Sequence, residues 1–316
     1  MQAPKKLEQK PGHWILNMDP RTEQPTRACA ACGSNDADSL GIKNDLEILS
    51  CRRCSTVYTP YLPWFPSELW YETYYRDQNL EPPAFVQKRL EEIVQPFAAY
   101  RQTNRLLDIG SGAGNLLLAA RKNGWDAQGL DVSPSAVKHV RELGFEVFHG
   151  ELRDAQLPSA HFDVITAAEL LEHLPDPRAE LQEIARLLRP GGLFWTTTPH
   201  ARGLAARVLG LKWRCISPPE HLQLFSAGGL KSLMLEVGFR DICLQTTGSN
   251  PIEILNAARR KKPPVTIAQH YDRVLTGYQL NETLMKSRSR RALKNVLNGV
   301  LNASRLGDSL KVFATK

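Results

Sequence analysis

Hydrophobic periodicity divides the chain into a regular middle and two irregular ends. Apolar runs recur at residues 106–109, 127–130, 145–148, 162–167 and 193–198. Between them lie segments of helical character: 115–122, a stretch opened by Ser133 as N-cap and Pro134 in the first turn, and 176–188, stopped by Pro190, Gly191 and Gly192. Short apolar runs alternating with helices predict a parallel sheet covered on both faces. Upstream, Phe85, Leu90, Ile93, Val94 and Phe97 follow a helical spacing and predict a helix over 84–100 that delivers the chain to this core. Downstream, 309–315 reads as a final strand, antiparallel to one at 241–246.

Composition places this pattern in an ordinary soluble chain. With 316 residues, 42% hydrophobic and 23% charged, about two domains are expected, and collagen-like, coiled-coil or wholly disordered classes are excluded. No apolar run approaches the roughly 18 residues of a spanning helix, and the first fourteen residues have no signal-type segment, so the expected address is the cytoplasm. The net charge of +7 is uneven. Residues 257–316 hold thirteen Lys and Arg against Asp272, Glu282 and Asp308, while the body before them is nearly neutral. Within this segment Leu293, Val296, Leu297, Val300 and Leu301 share one helix face, preceded by Lys286, Arg288, Arg290, Arg291 and Lys294. Such a helix either lies on an anionic membrane surface, which would put the protein at the inner face of the membrane, or packs on the domain or a second subunit.

Four of the six cysteines form two Cys-x-x-Cys pairs, Cys29 with Cys32 and Cys51 with Cys54, eighteen residues apart. That spacing fits a four-thiolate zinc ribbon, two tight knuckles joined by a hairpin, with disulfides as the weaker reading. Gly33 and the Arg52-Arg53 pair suit the knuckles, because donors and positive charge stabilise a doubly anionic ZnS4 centre. The stretch 58–75 holds eight aromatics, and reads either as a lid over a ligand or as interdomain packing.

The chemistry centres on Asp108, Ile109, Gly110, Ser111, Gly112, Ala113 and Gly114, where a strand runs through a glycine loop into a helix. A ligand there can approach bare backbone and take hydrogen bonds from unpaired amides. A dinucleotide fingerprint would need a third glycine at position 115, which is Asn, so that fingerprint is not met. Asp108 suits an ammonium group instead. Asp131, 21 residues after Gly110, stands where a carboxylate would accept from ribose hydroxyls, and Glu151 where one would accept from an adenine amino group.

Residues 107–114, 129–133, 162–164, Glu172-His173-Leu174 and 188–192 together resemble the successive motifs of class I S-adenosylmethionine-dependent methyltransferases, over about residues 100–248. The resemblance implies a Rossmann-like α/β sheet, parallel with an antiparallel last strand. It also implies that Asp108 through Gly114 hold the methionine moiety, Asp131 the ribose, Val132 the adenine face, Glu151 and Leu152 the adenine edge, and Ala168 the loop after the fourth strand. In that family the last two strands form a near hairpin; here residues 248–307 separate them. The expected layout is a zinc-ribbon-like domain at 1–60, an aromatic linker and leading helix at 61–100, the methyltransferase domain at 101–247 and 308–316, and a basic helical insert at 248–307. Two cofactors are expected, S-adenosylmethionine and a structural zinc ion.

A hydroxyl acceptor would benefit from a general base, and the candidates are His221 with Glu220, and His173. His221 lies on a segment long enough to wall an acceptor pocket, with Trp213 as a stacking surface, whereas His173 reads equally as a holder of its own loop. Trp213, Pro219-Glu220-His221, Phe225-Ser226 and Gly238-Phe239 resemble, more narrowly, methyltransferases of surface-polysaccharide and O-antigen biosynthesis. The expected partner is therefore a small-molecule or glycan acceptor. Two other readings stay open at this point: an RNA methyltransferase using the ribbon to bind RNA, which the confinement of charge to one insert argues against, and a non-catalytic scaffold.

Overall fold

The computed structural model describes residues 9–10, 13–14, 26–62, 84–249, 251–258 and 288–316. The aromatic stretch beyond Leu62 and residues 259–287 of the insert lie outside the described residues. The central sheet is built from β4 (Arg105–Ile109), β5 (Asp126–Asp131), β6 (Val147–His149), β7 (Phe162–Ala168), β8 (Leu188–Pro199), β10 (Arg240–Thr247) and β11 (Ser309–Thr315). Their order is β10-β11-β8-β7-β4-β5-β6, with β11 antiparallel to both neighbours. The strands from β8 through β6 run parallel. This is the expected Rossmann-like mixed sheet, and it buries Leu106, Leu107, Val164, Ile165 and Phe194 completely.

Helices α2 (Asn115–Lys122), α3 (Pro134–Glu142) and α4 (Pro177–Leu187) form where periodicity placed them. Ser133 caps α3 by accepting from the Ala136 N–H at 3.3 Å, and Asp176 caps α4 by accepting from the Ala179 N–H at 3.0 Å. Three boundaries differ from expectation, each for a local reason. The leading helix is α only over α1 (Ala84–Val94) and continues as a 3-10 turn, Gln95–Tyr100, because Pro96 has no N–H for an α-helical bond. The third strand starts at Val147, since Gly144 in a left-handed conformation and the Phe145 N–H, bonded to the Val140 carbonyl at 3.3 Å, stop α3. The fifth strand begins early at Leu188, its register shifting between Leu188 and Leu193 across Pro190-Gly191-Gly192.

The amino-terminal part forms a second sheet of β1 (Ala37–Lys43), β2 (Leu46–Cys51) and β3 (Val57–Tyr58). Its fourth strand, β9 (Gln223–Leu224), comes from far along the chain and pairs with β3, giving the order β9-β3-β2-β1. A shared sheet is reinforced by close packing. α6 (Ala227–Val237) opens at Ser226, whose hydroxyl accepts from the Gly229 N–H and donates to the Cys54 carbonyl. A Cβ on Gly229 would stand 2.7 Å from the Thr56 hydroxyl, so only glycine lets that turn approach the module. Trp213 is only 3% exposed and packs in one cluster with Ile48 and Val57, which removes it as a stacking surface for an acceptor.

α5 (Leu204–Leu209) packs on α7 (Pro251–Ala258), and α8 (Arg288–Ala303) packs on β10. On the apolar face expected of α8, Leu301 is buried, but Val296, Leu297 and Val300 are 65%, 54% and 58% exposed; the Leu293 side chain lies outside the described residues. Among the described residues no helix is long and apolar enough to cross a membrane.

Candidate active site

β4 delivers Asp108 to the carboxyl end of the sheet, beside the point where chain order reverses between β4 and β7. Ligands of open α/β sheets bind at such points. Gly110, Gly112 and Gly114 all have positive φ, of 69°, 51° and 74°, which residues with side chains adopt only under strain. Gly114 is the N-cap of α2 and supplies no side-chain cap, leaving first-turn amides without that partner. Two buried polar atoms beside this loop, Ser111 Oγ and Asn115 Oδ1, have no hydrogen-bond partner. The Gly110, Ser111, Gly112 and Gly114 amides are already bonded within the fold, so it is the uncapped first turn of α2 and the orphaned Ser111 and Asn115 atoms that fit a polar ligand bound there, as the S-adenosylmethionine expectation requires.

Asp108 is almost fully buried, with Oδ1 accepting from the Thr166 hydroxyl at 2.6 Å. Burial pushes its carboxyl up to about 7, a cost that a bound ammonium group would relieve. Asp131 differs from a simple ribose acceptor. Its Oδ2 accepts from the Gly112 N–H and its Oδ1 from the Ser133 N–H, each at 2.8 Å, so it ties the glycine loop to the start of α3. Each oxygen keeps a further lone pair for a ligand. Leu152 is buried, Val132 half-buried, and Glu151 and Ala168 exposed at the ends of their segments, Ala168 pairing with Thr197 across the sheet.

The second cluster follows β7 and faces the segment before β9. Glu172, His173 and His221 each bring one side-chain donor atom within 4.8 Å of the others. The two imidazoles meet edge to face at 4.7 Å. His221 Nδ1 lies 2.7 Å from the Cys215 carbonyl and His173 Nδ1 lies 3.0 Å from the Glu220 carbonyl. A carbonyl only accepts, so both Nδ1 atoms carry hydrogen. Burial lowers both rings, His173 to about 3, and keeps them neutral. Glu172 Oε2 accepts from the Thr198 hydroxyl at 2.8 Å, and its main-chain carbonyl accepts from the Leu222 N–H at 2.8 Å. Burial first, then the like charge of Glu169, raises the Glu172 carboxyl well above the usual range.

His173 thus bonds main chain as a structural role required, but on the opposite segment instead of its own loop, and Glu220 contributes its main-chain carbonyl to that link. Glu169 was missed by sequence reasoning. It stands just past β7 with a φ of 50°, and its charge favours the protonated form of His221. Its signal in the sequence was its place as first acid of Glu169-Leu170-Leu171-Glu172-His173 after a strand; the positive φ, visible only in the structure, adds to that.

The four cysteines converge as expected. Their sulfurs lie within 4.8 Å of one another, with Cys29 to Cys54 and Cys32 to Cys51 each 3.5 Å, too long for disulfides. The two knuckles close alike, the Gly33 N–H on the Cys29 carbonyl and the Ser55 N–H on the Cys51 carbonyl, both at 2.8 Å. Four converging thiols with free ligand atoms fit a tetrahedral metal site. The charge expected from Arg52 is directed elsewhere: its guanidinium bonds Asp36 and Asp38.

Sheet order, glycine loop and acidic strand ends together define the fold of class I S-adenosylmethionine-dependent methyltransferases. The family described as "Methyltransferase domain" matches residues 84–244, just over half of the chain, and the chain belongs to that family. It is similar to the ubiquinone biosynthesis O-methyltransferases of Alkalilimnicola ehrlichii, 30% identical over 40% of this chain and 54% of that one, and of Methylococcus capsulatus, 36% identical over 34% and 48%. The chain thus spans about half the length of these curated relatives. In fold it resembles the solved Haemonchus contortus phosphoethanolamine N-methyltransferase 2 in complex with S-adenosyl-L-methionine, with a TM-score of 0.50 and 18% identity over 79% of this chain and 56% of that one.

Proposed function

We propose that the chain moves a methyl group from S-adenosylmethionine to a hydroxyl of a small-molecule acceptor, with His221 as general base. The observation that carries this reading is the 2.7 Å approach of His221 Nδ1 to the Cys215 carbonyl: a carbonyl only accepts, which assigns the hydrogen to Nδ1 and leaves the neutral ring the lone pair of Nε2. Burial raises the Glu169 carboxyl as well, and in its ionised form it favours the imidazolium that forms when a proton is taken. S-adenosylmethionine, when bound, supplies an already activated methyl group, which leaves the protein to align the acceptor and exclude water. Asp108 through Gly114 would hold the methionine moiety, Asp131 the ribose, Val132, Glu151 and Leu152 the adenine, and Ala168 the adjoining loop. His173 and Glu220 position the base.

The relatives carry O-methyltransferase in their names, which supports oxygen as the acceptor atom. The acceptor class we favour, a sugar of a cell-surface polysaccharide or a related small molecule, is supported by the narrower likeness around Trp213 to Phe239. We assign zinc to Cys29, Cys32, Cys51 and Cys54 on the strength of their convergence. The exposed Val296, Leu297 and Val300, on an insert of strong positive charge, support contact with an anionic membrane surface from the cytoplasmic side. A panel of nucleotide sugars, lipid-linked glycans, phenols and RNA, read by release of demethylated cofactor, tests the acceptor reading. Turnover is expected with a hydroxyl acceptor and lost in His221→Gln; turnover with RNA alone would overturn it.

A further inference from the structure

The four-cysteine module reaches across to the segment that carries His221. Its β1–β2 hairpin turns at Asn44 and Asp45, with φ of 51° and 61°, the two-residue turn in which both central residues are left-handed. From that tip Lys43 Nζ donates to the Trp213 carbonyl and Asn44 Nδ2 donates to the Pro218 carbonyl, each at 2.7 Å. These two carbonyls bracket Cys215, whose own carbonyl holds His221 Nδ1. The segment has little internal order to hold it. Its local main-chain bonds are short-range turns, Ile216 to Trp213 and Glu220 and His221 to Ser217, and Pro218 and Pro219 have no N–H to donate.

The base of the module grips the far end of the same segment. Arg27, two residues before Cys29, donates to the Leu222 carbonyl at 2.6 Å, to Gln223 Oε1 at 2.9 Å and to the Thr59 carbonyl at 2.8 Å. The Thr59 N–H adds a bond to the Leu222 carbonyl at 3.1 Å. Residues 213–222 are therefore held by the hairpin tip at Trp213 and Pro218 and by Arg27 and Thr59 at Leu222, in addition to Glu253 at Arg214, His173 at Glu220 and Glu172 at Leu222. The first two grips belong to a small unit folded around four converging sulfurs. The glycine loop shares none of these contacts, being held by Leu130 and Asp131.

We propose that Lys43 and Asn44 are positioning residues for His221, and that metal loading at the four cysteines is felt through them at the acceptor side and not at the cofactor loop. This rests on the reading of His221 as base and of the cysteines as a zinc site. The charge of Lys43 also reaches the imidazole: burial lowers it most, the Cys215 carbonyl and Glu169 push it up, and Arg214 and Lys43 push it down, while the His173 ring and the Glu172 carboxyl stand against it. Removing that charge moves the His221 titration upward.

The test uses the full chain, with Lys43→Met, Asn44→Gly and the double variant. Asn44→Gly keeps a residue that favours the left-handed turn, so it deletes the amide contact without unfolding the hairpin. Hydrogen exchange of peptides over 213–222 should quicken by about tenfold in each single variant, since a buried bond of this kind protects by about that factor. Peptides over 105–116 should be unchanged, and S-adenosylhomocysteine affinity should stay within about twofold. The His221 ring resonance should shift in both variants, its midpoint rising in Lys43→Met and returning toward wild type in Lys43→Arg. Chelator treatment of the zinc-loaded protein should reproduce the exchange pattern. Unchanged exchange over 213–222 and an unmoved His221 resonance in the double variant would overturn the proposal. So would equal loosening of 105–116, which would mean general destabilisation. Failure of S-adenosylhomocysteine to bind wild type, or turnover that survives His221→Gln, would instead remove the functional reading while leaving the clamp measured.

Discussion

Replacing Asp108 with Asn should stabilise the ligand-free protein at high pH while crippling its cofactor site. The carboxyl is 3% exposed, and burial raises it from 3.8 to about 7. Sign follows from proton binding: between those values the folded state holds a proton that the unfolded state has lost, so this group's contribution to stability falls as pH rises through that window and is flat above about 7. A shift of roughly three units corresponds to about 4 kcal/mol at most at pH 8. Asn keeps an oxygen for the Thr166 hydroxyl but adds an amide hydrogen without an assigned partner, which costs about 1 to 3 kcal/mol at every pH. That offset cancels when two pH values are compared. The difference in unfolding free energy between Asp108→Asn and wild type should therefore swing by about 3 kcal/mol in favour of the variant from pH 4.5 to pH 8, read by urea titration of both proteins at each pH. S-adenosylhomocysteine affinity at pH 8 should fall by about 10- to 100-fold, because a charge-assisted partner for the ammonium group is gone. A stability difference independent of pH would refute the reasoning that burial, without a compensating cation, sets the state of this carboxyl.

Asp131→Ala should lower S-adenosylhomocysteine affinity by at least about tenfold by calorimetry, since it frees the Gly112 and Ser133 amides as well as removing a ribose partner; unchanged affinity would place the nucleoside elsewhere. His221→Gln should leave that affinity within a few-fold and lower turnover by about 100-fold or more, and equal turnover would remove His221 from the chemistry. Asp163 accepts from the consecutive Gln102, Thr103 and Asn104 N–H groups at 2.7 to 2.8 Å and from Arg189 at 2.5 Å, and against the opposing effect of burial these bonds hold it below the usual carboxylate range. Asp163→Asn should cost about 3 kcal/mol or more in thermal or urea unfolding, a loss that a surface role would not produce.

The central sheet was legible because its strands are apolar runs bounded by glycine, proline and capping residues, signals that act within a few positions. β4, α2 and β11 fall where those signals put them. Strand ends went wrong where a neighbour claimed the same residue, as Phe145 is used by the stop of α3 and Pro96 ends the α-helical part of the leading helix. The contacts of the cysteine module with residues 213–222 were not legible. β9 is two residues long and has no periodicity, and the Lys43 and Asn44 contacts join positions about 170 apart in sequence. Trp213 shows the limit from the other side, since an aromatic beside a candidate base is equally a core residue until its neighbours are known. The cofactor motif was visible as residue types, but the double hold of Asp131 on two amides depends on backbone geometry that no spacing reveals.

Calorimetric titration of the folded, zinc-loaded chain with S-adenosylmethionine and S-adenosylhomocysteine tests the central claim most directly. A glycine loop with three left-handed glycines, orphaned Ser111 and Asn115 atoms and an uncompensated Asp108 predicts micromolar, one-to-one binding, weakening as pH falls from 8 to 6 while Asp108 takes up its proton. Absence of heat from both ligands, on protein shown to be folded and metal-loaded, would contradict the assignment of this loop as the cofactor site.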